Sequence, residues 1–292
     1  MSATTKLGRL STKRRVTNAV ACGALWFTLV LALLPLVAVL SYTLSRGLSG
    51  LDISFLTHSM KGVGPLDANG GAYHAIVGTL QQVGIASLLA VPLGLAVAIY
   101  IVEIGEGRLA SVIRFFIDVM TGIPSIVAGL FIFAFWVVGL GRGFSGFAAG
   151  LALSILMLPI VVRSIEEMLR LVPNELREAS YALGVPKWRT ILSVVLPSAA
   201  SGIITGIVLA VARVTGETAP LLLTAFGYDA IRQSPFEGPQ SSLPLYVYSQ
   251  ASSAFDVAVD RAWAAALTLI LVVLLLTAVA RLLSRRSRLM VN

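Results

Sequence analysis

The chain has 292 residues, 57% of them hydrophobic and only 12% charged, with a formal net charge of +8. Soluble domains carry about 25% charged residues, and the deficit here falls in six runs free of Asp, Glu, Lys and Arg: 16–45, 68–102, 119–141, 143–162, 190–212 and 262–280. These runs lack the polar stripe of a soluble helical bundle, and the basic residues sit in the connections between them, which speaks against nucleic acid as a partner.

Each run meets or nearly meets the roughly 20 apolar residues needed to cross about 30 Å of hydrocarbon. The expectation is therefore an all-α membrane protein with six transmembrane helices. The first run follows Lys13, Arg14 and Arg15. A secretory signal would have an apolar core of about 7–15 residues and a small-residue cleavage site. Here the apolar stretch continues to Ser41 without such a site, so it reads as an uncleaved helix. Cys22, the single cysteine, lies in it and suggests neither an internal disulfide nor a metal or redox site. Before the second run comes a loop, 46–73, with His58 in it and His74 beside it; both read as solvated loop residues. The third run holds Pro124, which is expected to kink that span. Just ahead of it, Arg114 and Asp118 have the spacing of an ordinary i,i+4 pair. Gly141-Arg142-Gly143-Phe144-Ser145-Gly146 matches G-x-G-x-x-G. It joins two spans and not a strand to a helix, so it reads as a tight turn and not a dinucleotide site.

Loop charge orients the spans. With six crossings both termini share a side, and that side holds 16 of the 22 Lys and Arg residues against five on the other. The bias places both termini and the 163–189 loop in the cytoplasm, where the basic residues meet anionic lipid.

The loop between the fourth and fifth runs, 163–197, is shaped for more than connection. Asn174 is placed to cap a short helix reaching Leu183; Gly184 supplies a left-handed position after it, and Pro186 prevents continuation. Leu176, Ala179, Ala182 and Leu183 recur at helical spacing. Such an amphipathic helix either lies on the bilayer surface or inserts into a cleft of another protein.

Glu178-Ala179-Ser180, then Gly184, then Leu196-Pro197 resembles the EAA loop of bacterial ABC importer permeases, with Ser180 and Val194 replacing the Ala and Ile of the family pattern. The resemblance implies a type I ABC importer permease fold, in which this loop forms a coupling helix docked into a nucleotide-binding subunit. Glu178, Ala179, Ser180 and Gly184 are then the ATPase-coupling residues, with Ala179 and Ser180 admitting close approach of the partner. No GxxxxGK[ST] occurs in the chain, so no cofactor is expected on it, and ATP and Mg belong to the partner ATPase subunits.

The fifth run ends at Arg213, with Glu217 four residues on. On one continuous helix the two share a face, with Arg213 about 24 Å beyond Pro197. A charge near the bilayer centre costs about 2.5–3.5 kcal/mol and calls for a partner or water. Ser198, Gly202, Gly206 and Ala210 recur at four-residue steps on that face and invite close helix packing. The pair is either an ion pair fixing that packing or an anion site. In the second case Arg213 offers its planar fork of donors, and Glu217 holds it or accepts a proton-bearing oxygen.

Arg213-VTGETAPLLLT-Ala225 resembles the fifth-span signature of PstA-type phosphate permeases, as do Gly122-IPSIVAGL-Phe131, Leu158-PIVVRSIEEMLRLV-Pro173 and Ser242-LPLYVYS-Gln250. What this implies is an importer permease for inorganic phosphate in the bacterial inner membrane, with Arg213, Glu217 and Thr218 on the substrate pathway. It also implies a second, PstC-type permease, two ATPase subunits and an external phosphate-binding protein as partners. The organisation that follows is 1–15 cytoplasmic segment, 16–72 first transmembrane helix and outer loop, 73–283 permease core with coupling loop 163–197, and 284–292 basic tail. Sulfate, molybdate or phosphonate are alternative substrates, and an ion-driven secondary transporter, which would show repeated interrupted helices, is the rival outside this class. The outer loops, 46–73 and 226–260, are either a docking surface or inert connections.

Overall fold

The computed structural model describes residues 11–289 apart from Pro65, Ala68 and Glu106. Lys6 and Arg9 of the expected basic N-terminal segment lie outside the described residues. The described residues form helices joined by turns and loops, with one isolated bridge between Phe226 and Gln240 and no strand. The chain divides after Arg46 into two compact units.

Helix α1, Thr12–Gly50, runs uninterrupted past Pro35, and residues 12–46 of it form the first unit. In the second unit, α2 (Ile53–Thr57) is a single turn capped by Asp52, whose Oδ1 accepts from Phe55 N at 2.6 Å. Helix α3 (Tyr73–Ile99) closes in a π-turn, Tyr100–Ile104. Helix α6 (Gly146–Arg170) opens on Ser145, whose hydroxyl accepts from Ala148 N at 3.1 Å.

Helix α6 is the centre of the bundle. Val161, Val162, Ile165 and Leu169 are fully buried in the core it shares with α3 and the fifth span. Close approach to α3 depends on Gly94, where an added Cβ would stand 2.7 Å from Val161 Cγ1. The fifth span is one helix from Lys187 to Thr215, made of α8 (Lys187–Thr190), a π-turn (Ile191–Val195) and α9 (Leu196–Thr215). Pro197 has no N–H for the preceding turn, and the π-turn lies directly ahead of it. The expected small-residue stripe packs on α6: a Cβ on Gly206 would stand 2.5 Å from Ser164 Cβ, and one on Gly202 would strike Met168. Helix α12, Asp256–Leu289, closes the bundle.

Among the described residues, five helices are long and apolar enough to cross a membrane, and a sixth crossing exists only as a bent pair. This is where the fold departs from expectation. The third span does not run 119–141 with a kink. Helix α4 begins at Arg108 and ends at Thr121, and α5 (Ser125–Ile132, continued by a π-segment, Phe133–Gly139) leaves at 104° to it. Pro124 is the residue before α5, in extended geometry. The bend is held from outside, because α5 packs on α10 (Ala219–Thr224), and a Cβ on Gly129 would stand 2.6 Å from Pro220 Cα.

The segments 46–73 and 226–260 are built structure. Thr79 Oγ1 accepts from Leu243 N at 2.8 Å, and Gln82 Nε2 donates to Gln240 Oε1 at 3.1 Å, docking α11 (Leu243–Ala251) on α3. Arg261 Nη1 donates to Asp67 O at 2.7 Å. His74 is not a solvated loop residue: it is buried in the first turn of α3, edge-on to Tyr246 with ring centroids 5.2 Å apart. His58 is exposed, as expected.

Candidate functional sites

Two regions collect the expected functional residues. The first is α7, Asn174–Ala182, held between α6 and the fifth span. Its end is a Schellman turn: Val185 N donates to Ser180 O at 3.2 Å and Gly184 N to Tyr181 O at 2.9 Å, with Gly184 at φ +76°. The predicted left-handed glycine is therefore in place. The predicted cap is not: Pro173 precedes the first turn, and Asn174 is already helical. Leu176, Ala179, Ala182 and Leu183 are all exposed, Leu183 at 84%, and Tyr181 and Trp188 beside them are exposed as well. Glu178 is exposed too. Ser180 faces the other way: it is buried, with its hydroxyl 2.8 Å from Thr190 Oγ1, and it ties α7 to α8. Of the two small residues, Ala179 alone is thus on the exposed face.

Behind α7 lies a charge lattice. Glu166, its side chain 3% exposed, accepts from Arg114 Nε at 3.0 Å, Arg163 Nη1 at 2.9 Å and Arg170 Nη2 at 2.6 Å. Asp118 pairs with Arg163, not with Arg114. The i,i+4 spacing was right for a helix, but Arg114 is drawn across to the buried carboxylate on α6, where its charge compensates a desolvated anion. A second buried carboxylate, Glu103, is clasped by Arg177 of α7, Nη2 to Oε1 at 2.7 Å. Neither Glu103 nor Glu166 is among the residues singled out in the sequence. The available signal was that both stand at span ends rich in Arg.

The second region is the broken span. A cavity of about 590 Å³ lies there, between its break (Met120, Thr121, Ile123, Pro124, Ser125), the middle of α6 (Leu156, Pro159, Ile160) and the far end of α9 (Leu209, Arg213, Glu217). Arg213 is exposed to this space and Glu217 half-buried. The two do not share a helical face as expected, because α9 stops at Thr215 with Gly216 as its cap and Glu217 stands in the turn beyond. Among the described residues neither makes an ion pair. Thr218 follows at the start of α10 and is outside the cavity lining. The signature stretches 122–131 and 213–225 thus meet physically, through Gly129 on Pro220 and across the cavity. An arginine and a carboxylate facing one cavity beside a broken span can receive an anion: the guanidinium supplies paired donors, and the carboxylate accepts a hydrogen bond from a protonated oxygen.

Residues 90–289 match the family described as "Binding-protein-dependent transport system inner membrane component". Among curated relatives, the phosphate transport system permease protein PstA 1 of Mycobacterium tuberculosis (strain ATCC 25618 / H37Rv) is 49% identical over 285 residues, 96% of this chain and 92% of the relative. The PstA of Yersinia pestis is 39% identical over 276 residues, 94% and 92% of the two chains. Among solved structures, a chain of the bacterial alginate ABC transporter superposes with TM-score 0.65 at 15% identity, covering 94% of this chain and 96% of its own. One of the MetNI methionine ABC transporter gives 0.59 at 18%, covering 74% and 94%. At those identities the solved structures speak for the fold alone, and that fold is the one described above.

Proposed function

This chain belongs to the family of inner membrane components of binding-protein-dependent transport systems, with the PstA phosphate transport permeases, and on that premise we propose how its two sites serve phosphate import. It is the membrane-spanning permease subunit of an ATP-driven phosphate importer. Phosphate handed over outside passes the cavity at the broken third span, where Arg213 binds it through two donors and Glu217 accepts from its remaining hydroxyl. The observation that carries this reading is the cavity itself, lined beside the break by Arg213, which is exposed and, among the described residues, in no ion pair. An ion pair fixing helix packing would have joined Arg213 to Glu217. Thr218, off the lining, has a supporting place in the turn.

The exposed apolar face of α7, with Glu178 and Ala179 on it and Gly184 setting its bend, is the surface for a cytoplasmic ATPase subunit. ATP and Mg are held there and not on this chain. A second permease completes the pathway, two ATPase subunits drive it, and an external phosphate-binding protein delivers the anion. The excess of Lys and Arg in the 163–189 loop and in the two terminal segments supports a cytoplasmic location for them.

Reconstitution tests the whole reading. The assembled complex in vesicles should take up labelled phosphate only with ATP and binding protein present, and the chain alone should take up none. Uptake by the isolated chain on an ion gradient would instead favour a secondary transporter, and ATP-driven uptake of sulfate but not phosphate would overturn the substrate.

A further inference from the structure

Arg177 belongs to α7 but turns away from its exposed face. Its side chain is 13% exposed and that of its partner Glu103 is 4%. Every guanidinium nitrogen is occupied. Nε donates to both Glu103 oxygens, at 3.2 and 3.3 Å; Nη2 donates to Glu103 Oε1 at 2.7 Å and to Leu169 O at 3.0 Å; and Nη1 donates to Val172 O at 2.6 Å.

The chain itself connects α7 to two spans only, α6 before it and the Lys187–Thr215 helix after it. The Arg177–Glu103 pair adds a third connection, to a residue 74 positions away in the π-turn that closes the second span. A planar fork gripping a carboxylate resists rotation as well as separation. Exclusion of water removes most of the screening that would slacken it. The far end of the pair sits on a π-turn, a helical geometry that recurs at functional positions. Beyond that turn, α3 packs along α6 through Gly94 and Val161, and α6 lines the cavity.

We propose that the Arg177–Glu103 ion pair is the strut that delivers movement of α7 to the second span, with Arg177 as a positioning residue for coupling. The proposal rests on the reading of α7 as the ATPase-docking helix. Without the strut, a displacement of α7 reaches the second span only indirectly, through α6, its packing at Gly94 and Val161 and the Arg114 bridge from Ile101 O to Glu166. Less of the movement then arrives there, and ATP is hydrolysed with a smaller matching rearrangement of the bundle.

The test uses the full importer complex in vesicles and reads phosphate taken up per ATP hydrolysed, together with retention of the ATPase subunits on purification. Arg177→Gln and Glu103→Gln should each keep the subunits bound and lower uptake per ATP by roughly 10-fold, within the range that typical coupling free energies produce. The charge exchange, Glu103→Arg with Arg177→Glu, should restore much of the loss. A covalent strut should do the same: Glu103→Cys with Arg177→Cys in a Cys22→Ser background, bridged by a short thiol cross-linker. An unchanged ratio in both single variants would overturn the proposal. It would also fall if the ATPase subunits dissociated and neither repair restored the ratio, since the pair would then only hold α7 in place. Absence of ATP-driven uptake by the unsubstituted complex would overturn the underlying reading and the strut with it, and is told apart because it precedes any substitution.

Discussion

The charge lattice and the cavity at the broken span treat charge in opposite ways. In the lattice, Glu166 gathers three arginines and Glu103 is gripped by a fourth, so that each buried carboxylate is compensated. At the cavity, Arg213 and Glu217 face one space and, among the described residues, form no ion pair. A buried charge without a partner is expensive, so the first arrangement fixes the geometry of the helices that carry it. The second stays affordable only because the cavity admits water, and it leaves both groups able to bind something that arrives. On the proposed reading, paired charges hold and transmit, and unpaired ones receive.

Substitutions in the lattice and at the cavity should therefore separate in what they change. Glu166→Gln leaves three arginines around a group without charge. Breaking a buried pair costs about 3–5 kcal/mol, and because Arg170 is 56% exposed and able to turn to solvent, the expected loss is at the lower end, about 3 kcal/mol. It should appear as a lower unfolding midpoint of the detergent-purified protein. Arg213→Lys should do the reverse, leaving the midpoint unchanged. Loss of a charge-assisted hydrogen bond worth about 1.5–3 kcal/mol lowers ATP-driven uptake roughly 10- to 100-fold. If Arg213→Lys destabilised the protein as Glu166→Gln does, both regions would be structural and the comparison would collapse.

The same contrast explains what could be read from the sequence. The apolar runs, the short helix of the 163–197 loop and the left-handed Gly184 rest on local signals, a run of residues or a Gly followed by Pro, and the structure has all of them. The lattice rests on pairs such as Arg114–Glu166, 52 residues apart, which no spacing rule anticipates; local spacing offered Asp118 for Arg114 instead. The break in the third span was signalled by Pro124 only as a kink. Its 104° bend needs α10, where Gly129 admits Pro220. His74 looked solvated because the α11 ring that covers it comes from the far end of the sequence. Arg213 and Glu217 were found because a charge in an apolar run is conspicuous, but their shared helical face was not real, since nothing local announced that α9 ends at Thr215.

Gly184→Val probes the side that transmits. A branched residue in the left-handed region costs about 1–2 kcal/mol, enough to unwind the Schellman turn and alter the set of α7 without touching the core. Insertion into the membrane and the amount of folded protein should be normal while ATP-driven uptake falls. Uptake equal to that of the unsubstituted complex would mean that the bend after α7 carries no coupling.

The smallest effect is expected at the lattice's outer arm, and it marks where holding charges stop. Asp118 is 59% exposed and its partner Arg163 33%, so water and salt screen the pair, and exposed pairs contribute about 0–1 kcal/mol. Asp118→Asn should shift the unfolding midpoint little, and less still at high salt. Yet Asp118 stands on α4 two residues before Met120, where the cavity lining begins. If the lattice only holds, uptake with Asp118→Asn stays close to that of the unsubstituted complex. A large fall in uptake with an unchanged midpoint would extend the transmitting role along α4 to the edge of the cavity, and the division between lattice and cavity would have to be redrawn there.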